Sequence, residues 1–146
     1  MAYIAALPSL KHLYLSDCHL STIDYLENAW SLEELDLSNN TIRNLNALKN
    51  IPNLKKLYLQ HNAINDVAHV GSLDELEVLN ISFNAISTLE PLGDCVLLTE
   101  LIADNNYLTS LSGLRNLKKL EVLSVDYNSV ADVSALTRNE ALKNVS

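Results

Sequence analysis

The side chains in this chain with the most capacity for chemistry are four histidines, two cysteines and eighteen acidic residues. Metal ligation needs imidazoles, thiolates or carboxylates at short spacing. His12, His19, His61 and His69 form no HxxxH pair, and Cys18 and Cys95 form no CxxC pair. The two cysteines read instead as small core residues. Gly71, Gly93 and Gly113 are isolated, so no Gly-rich loop can cradle a phosphate. No serine sits in a nucleophile elbow. That leaves the carboxylates, which do acid–base work only where an enclosed site drives their pKa values apart. Whether they are enclosed depends on the elements that carry them.

Those elements repeat. Leu10, Leu32, Leu54, Leu76, Leu98, Leu120 and Leu142 recur every 22 residues without a slip. Each unit reads LxxLxLxxNxIxxLxxLxxLxx or close to it. The asparagine column runs Cys18, Asn40, Asn62, Asn84, Asn106, Asn128. The apolar column after it runs Leu20, Ile42, Ile64, Ile86, Leu108, Val130, and two further apolar columns stay in register. Self-similarity of this period is the mark of a solenoid.

The LxL segment alternates apolar and polar with period two, which predicts a short strand with one buried face. Stacked units then pair these strands in parallel, about 4.8 Å apart. The asparagine follows the strand, where the chain must turn inward, and its amide can serve backbone groups of neighbouring turns. Cys18 takes that place in the first unit. The IxxLxxL half has three-residue spacing, which predicts tight 3₁₀ turns rather than a long helix. Gly71 and Gly93, at one repeat position, read as turn residues. The expected organisation is a partial unit over 1–9, six units over 10–141 and the start of a seventh over 142–146. Ile4 aligns with Leu26 and Leu7 with Ala29, and Asn139 breaks the column of Ile51, Leu73 and Leu117. The absence of caps suggests a fragment of a longer protein.

The units LEELDLSNNTIRNLNALKNIPN and LEVLNISFNAISTLEPLGDCVL resemble leucine-rich repeats of the 22-residue, SDS22-like class. That class includes the nuclear phosphatase-1 regulator, axonemal dynein light chain 1 and bacterial internalins. The resemblance implies an α/β leucine-rich-repeat solenoid, with a parallel sheet on its concave face and 3₁₀ or irregular turns on its convex face. It also implies a protein-binding role, with a phosphatase catalytic subunit or a motor domain as candidate partners.

On such a sheet the second, third, fifth, seventh and eighth positions of each unit should face solvent. They collect nine acids (Asp17, Glu33, Glu34, Asp36, Glu77, Glu100, Asp104, Glu121, Asp126) against Lys11, Lys55 and Lys56. The face then carries −6 of the chain's net −8. On an open, solvated face nothing raises these carboxylates' pKa values, so the chain is not expected to be an enzyme or to need a cofactor or metal. Asp17 and His61 would stand two strands apart, about 10 Å, too far to share a metal. Among these acids Val78, Phe83, Ile102, Val122 and Tyr127 fall on three adjacent strands, with Tyr58 one strand away and Tyr14 further off. Val78 and Val122 alone would reflect only the fit of β-branched residues to a sheet. Clustered inside an acidic rim, the set predicts a partner-binding patch with aromatic anchors. In this reading Phe83, Ile102 and Tyr127 anchor the partner while Glu100, Asp104 and Asp126 orient it, and Tyr14 and Asp36 belong to the same candidate face. Trp30 and Tyr25 read as packing on the convex turns.

An acidic chain repels nucleic acid and anionic membrane surfaces. No run is long enough to span a bilayer, and MAYIAALPSLKH does not read as a secretory signal. Asn39, Asn80 and Asn144 begin glycosylation sequons that an Asn-rich repeat produces by chance. The expectation is a cytoplasmic, non-catalytic module, a regulatory or scaffold subunit that holds a basic, partly apolar protein. The alternative is the recognition segment of a larger adhesin or nucleotide-binding receptor.

Overall fold

The computed structural model describes residues 7–146. Its LxL segments form seven short strands: β1 His12–Tyr14, β2 Glu34–Asp36, β3 Lys56–Tyr58, β4 Val78–Asn80, β5 Glu100–Ile102, β6 Val122–Ser124 and β7 Asn144–Val145. They make one parallel sheet in sequence order, β1 to β7. The register is one repeat per strand, so Leu13, Leu35, Leu57, Leu79, Leu101 and Leu123 stand side by side. The next apolar position continues the ladder, as where Leu37 N–H donates to Tyr58 O at 2.9 Å.

The return half of each unit closes as a 3₁₀ turn: Asp24–Leu26, Asn46–Asn50, Val70–Ser72, Glu90–Asp94, Ser112–Leu114 and Ser134–Arg138. Three-residue hydrogen bonds hold them, such as Leu48 N–H to Leu45 O at 3.0 Å. A turn this tight keeps each unit to 22 residues. The core lies between sheet and turns and is almost wholly aliphatic, with Leu35, Leu57, Leu79 and Leu101 fully buried. Leu13 in β1 and Leu142 before β7 are only half-buried, each with a neighbouring unit on one side alone among the described residues.

The asparagine column makes the predicted ladder. Asn106 Oδ1 accepts Ile86 N–H at 3.0 Å, while its Nδ2 donates to Ile81 O, Ala103 O and Asp104 O at 3.0, 3.1 and 3.2 Å. Asn62, Asn84 and Asn128 repeat the same pattern one or two units away. One amide thus serves several backbone groups at once, including Ile86 N–H, which has no other partner among the described residues.

Several expectations need correction. Cys18 is exposed rather than in the core; only Cys95 is buried. Burial lifts the Cys95 thiol pKa to about 12, with Asp94 and Asp74 adding to the rise. Trp30 does not pack on the turns but stands 63% exposed, whereas Tyr25 packs partly against the core. No glycine has positive φ. Gly71 and Gly93 do lie in the 3₁₀ turns Val70–Ser72 and Glu90–Asp94, and glycine is needed at 71 and 113 where turns meet: a Cβ on Gly71 would press into Pro91 O, and one on Gly113 would lie 2.7 Å from Glu90 Cα. Asn139 does break its apolar column yet is buried, donating to Leu114 O and Leu117 O at 2.8 Å. Ile4 lies outside the described residues; Leu7, in the column of Ala29, is exposed.

Candidate interaction face

The parallel register turns repeat positions into rows across the sheet. The second-position row runs Lys11, Glu33, Lys55, Glu77, Thr99, Glu121, Lys143. Its alternating charges form ion pairs: Lys11 to Glu33 at 2.7 Å, Lys55 to Glu33 at 3.4 Å and Lys143 to Glu121 at 2.7 Å. The two lysines hold the Glu33 carboxyl below the usual carboxylate range, Lys11 contributing most. In the next row Lys56 approaches Glu34 at 4.0 Å. Lys143, which sequence reasoning omitted because its unit is incomplete, joins the face and leaves it nine acids against four lysines.

The lysines neutralise only part of the face. Among the described residues, Asp17, Asp36, Glu77, Glu100, Asp104 and Asp126 make no ion pair. Four of those six lie in the last three complete units. Asp104 is held in place: its Oδ1 accepts Ser124 Oγ–H at 2.6 Å and Asp126 N–H at 2.8 Å.

The predicted patch separates into two parts. Val78 and Val122 share a row with Glu100 between them. Ile102 lies on the intervening strand, two residues on, between Asn80 and Ser124. All three are half-buried. Tyr58 stands beside Asp36, with Tyr14 on its far side. Burial raises both phenol pKa values, and the Glu34 carboxylate adds to the rise. The seventh position is less open than its pattern suggests: Ser38 and Ser82 are buried and bond to neighbouring units.

Phe83 and Tyr127 form the second part, at the eighth position just past the strands. They are 47% and 82% exposed. This column has a backbone demand that the residue pattern does not display. Asp17, Asn39, His61, Phe83, Asn105 and Tyr127 all adopt φ between 52° and 57°. The chain turns there while the N–H groups of the first five still donate across, as Phe83 N–H does to Asp104 O at 2.9 Å. Asn, Asp and His tolerate the left-handed region; bulky aromatic residues rarely occupy it. Phe83 also stacks on His61, with ring centroids 4.2 Å apart and planes inclined by 13°. Sequence reasoning left His61 out of the site, although it immediately precedes Phe83 in the eighth column.

Among the described residues no three His, Cys, Asp or Glu side chains converge as metal ligands do. A hollow of about 340 Å³ lies off the sheet, lined by Ser110, Arg115, Ser134 and Arg138. Asp132 also lines it, its carboxyl held ionised by the backbone and hydroxyl of Ser134, so its walls carry mixed charge.

Sheet, 3₁₀ turns and asparagine ladder define a leucine-rich-repeat solenoid, and the chain belongs to the leucine-rich-repeat family. The family pattern of leucine-rich repeats in two copies matches residues 8–50, 52–94 and 96–138. An internalin C2 from Listeria monocytogenes has a similar structure at TM-score 0.89 and 28% identity, covering 97% of this chain and 64% of its own. A second internalin from that organism aligns at TM-score 0.90 and 27% identity, covering 100% and 44%. A leucine-rich-repeat protein of Leptospira interrogans gives 0.83 and 25%, covering 97% and 38%. The chain therefore spans less than two thirds of these similar structures. No curated protein sequence matches it. Leucine-rich-repeat domains are generally protein-interaction modules, and nothing in these matches points to an enzyme family.

Proposed function

We propose that the chain is a non-catalytic interaction module that holds a protein partner on its sheet face, acting as a regulatory or scaffold subunit. The observation that carries this is Phe83 and Tyr127 in the left-handed column. Each costs roughly 1–2 kcal/mol of backbone strain relative to a residue suited to that region. Two such positions, both exposed, lie two units apart. Strain kept at exposed aromatic residues is explained by what those residues touch. Around them Glu100, Asp104 and Asp126 lack lysine partners, which favours a basic partner surface. Val78, Ile102 and Val122 supply the apolar floor beside them. A phosphatase catalytic subunit or a motor domain in the cytoplasm fits this reading.

The test is affinity capture from the native cell extract with the chain and a Phe83→Asn/Tyr127→Asn variant. Asparagine is the column's own residue, so the backbone should keep its course, which circular dichroism checks. A protein retained by the first and lost by the second supports the reading. Identical captures reject it.

A second reading, a recognition segment of a larger adhesin or receptor, is favoured by the similar internalin structures, of which the chain spans only part. The residues encoded on either side of this chain decide it: an anchor or NTPase domain supports this second reading.

A further inference from the structure

The eighth-position column holds a ring stack with one place left open. His61 and Phe83 lie on adjacent units and stack at 4.2 Å. The next unit offers Asn105, whose short side chain supplies no ring, and the one after offers Tyr127. All four share the same backbone conformation, with φ of 57°, 55°, 52° and 55°. His61 covers one face of the Phe83 ring, so the other face looks along the column towards Asn105. Two strand steps amount to about 9.6 Å, close to twice the ring spacing seen between His61 and Phe83. A flat group placed over Asn105 would therefore sit one strand step, about 5 Å, from both the Phe83 and the Tyr127 units, a separation inside the roughly 6 Å reach of a cation–π contact.

The charge around this gap selects the kind of flat group. Asp104 and Asp126 occupy the adjoining seventh positions and make no ion pair among the described residues. Asp104 Oδ1 is taken by Ser124 and the Asp126 backbone, which aims the carboxylate while leaving Oδ2 without a donor among the described residues. A neutral aromatic ring could fill the space but would leave these carboxylates unanswered. An ammonium could answer them but would not fill a slot between two rings. A guanidinium is planar, cationic and weakly hydrated, and it stacks on aromatic faces while bonding carboxylates. We propose that the gap between Phe83 and Tyr127 is a slot for an arginine side chain of the protein partner. This rests on the reading of the sheet face as the binding surface and names the residue it recognises.

The test is an NMR titration of the ¹⁵N-labelled chain with N-acetyl-arginine methylamide, beside the lysine, citrulline and phenylalanine equivalents. The expected result is saturable shifts at the Asn105 side-chain amide and at the Phe83 and Tyr127 backbone amides, in the millimolar range. Lysine and citrulline should bind at least about fivefold more weakly. Tyr127→Asn, which removes one wall, and Asn105→Phe, which fills the slot, should each abolish the shifts while the rest of the spectrum stays folded. Absence of shifts with arginine, shifts that citrulline or phenylalanine reproduce equally, or shifts that survive in Tyr127→Asn overturn the slot. If the slot fails while capture still depends on Phe83 and Tyr127, the sheet face remains the interface and only the arginine assignment falls.

Discussion

Replacing Asn106 with alanine isolates the energetics of the ladder. Asn106 is 5% exposed and makes four hydrogen bonds, one from Ile86 N–H and three to Ile81 O, Ala103 O and Asp104 O. Each intramolecular hydrogen bond contributes about 1 kcal/mol net, and a buried group left without a partner costs about 1–3 kcal/mol. The main orphan is Ile86 N–H; the carbonyls keep a second lone pair and lose less. The sum is about 4 kcal/mol for Asn106→Ala. Asn128 makes the corresponding four bonds, but it is half-buried near the β7 end. Water can replace part of them, so Asn128→Ala should cost about half as much. Asn106→Asp adds a sign check: a carboxylate cannot donate to three carbonyls, so its cost should fall as the pH drops and the acid protonates. The assay is equilibrium urea unfolding followed by far-ultraviolet circular dichroism, with the slope checked for loss of cooperativity. Equal losses at Asn106 and Asn128, or a loss below about 1 kcal/mol at Asn106, would show that the ladder is not what satisfies these backbones.

Other outcomes follow from the same geometry. Gly113→Ala should destabilise by about 2–3 kcal/mol, because its Cβ meets the backbone of Leu89 and Glu90. Gly93→Ala, whose Cβ lies 3.3 Å from Gly113 O, should lose less than half of that in the same urea assay. Tyr127→Asn should stabilise the free chain by about 1 kcal/mol, since it relieves left-handed strain at a side chain that buries little; a thermal melt showing destabilisation refutes the strain argument. Iodoacetamide at pH 8 should label Cys18 in the native chain and Cys95 only after unfolding, as mass spectrometry reads it. Because the Cys95 pKa is raised by folding, its stabilising contribution is complete below the unfolded-state value and is lost as pH climbs from about 9 towards 12.

How much of this was legible in the residues follows from what a repeat encodes. A 22-residue period with LxL and Asn columns determines strand, turn and ladder together, because each unit meets the next through the same positions. Parallel pairing, 3₁₀ turns and the buried leucines were therefore readable before any coordinates. So was the set of residues on the sheet face, since a strand alternates sides.

Position within a face was another matter. Burial of Val78, Ile102 and Val122 depends on packing across neighbouring strands, and burial of Ser38 and Ser82 on hydrogen bonds across units. Cys18 is exposed where the asparagines of its column are buried or half-buried, whereas Trp30 occupies a position that is exposed in every unit. The glycines read as turn residues and lie in the 3₁₀ turns, but the close backbone approach that requires glycine at 71 and 113 is a distance that one unit's sequence does not contain. The left-handed eighth column shows the division most clearly. The residue types alone place Phe83 and Tyr127 on the sheet face. Only the tertiary structure places them on a strained backbone, one unit either side of Asn105, with His61 behind Phe83. That arrangement is set by how successive units stack, and stacking is a property of the folded chain.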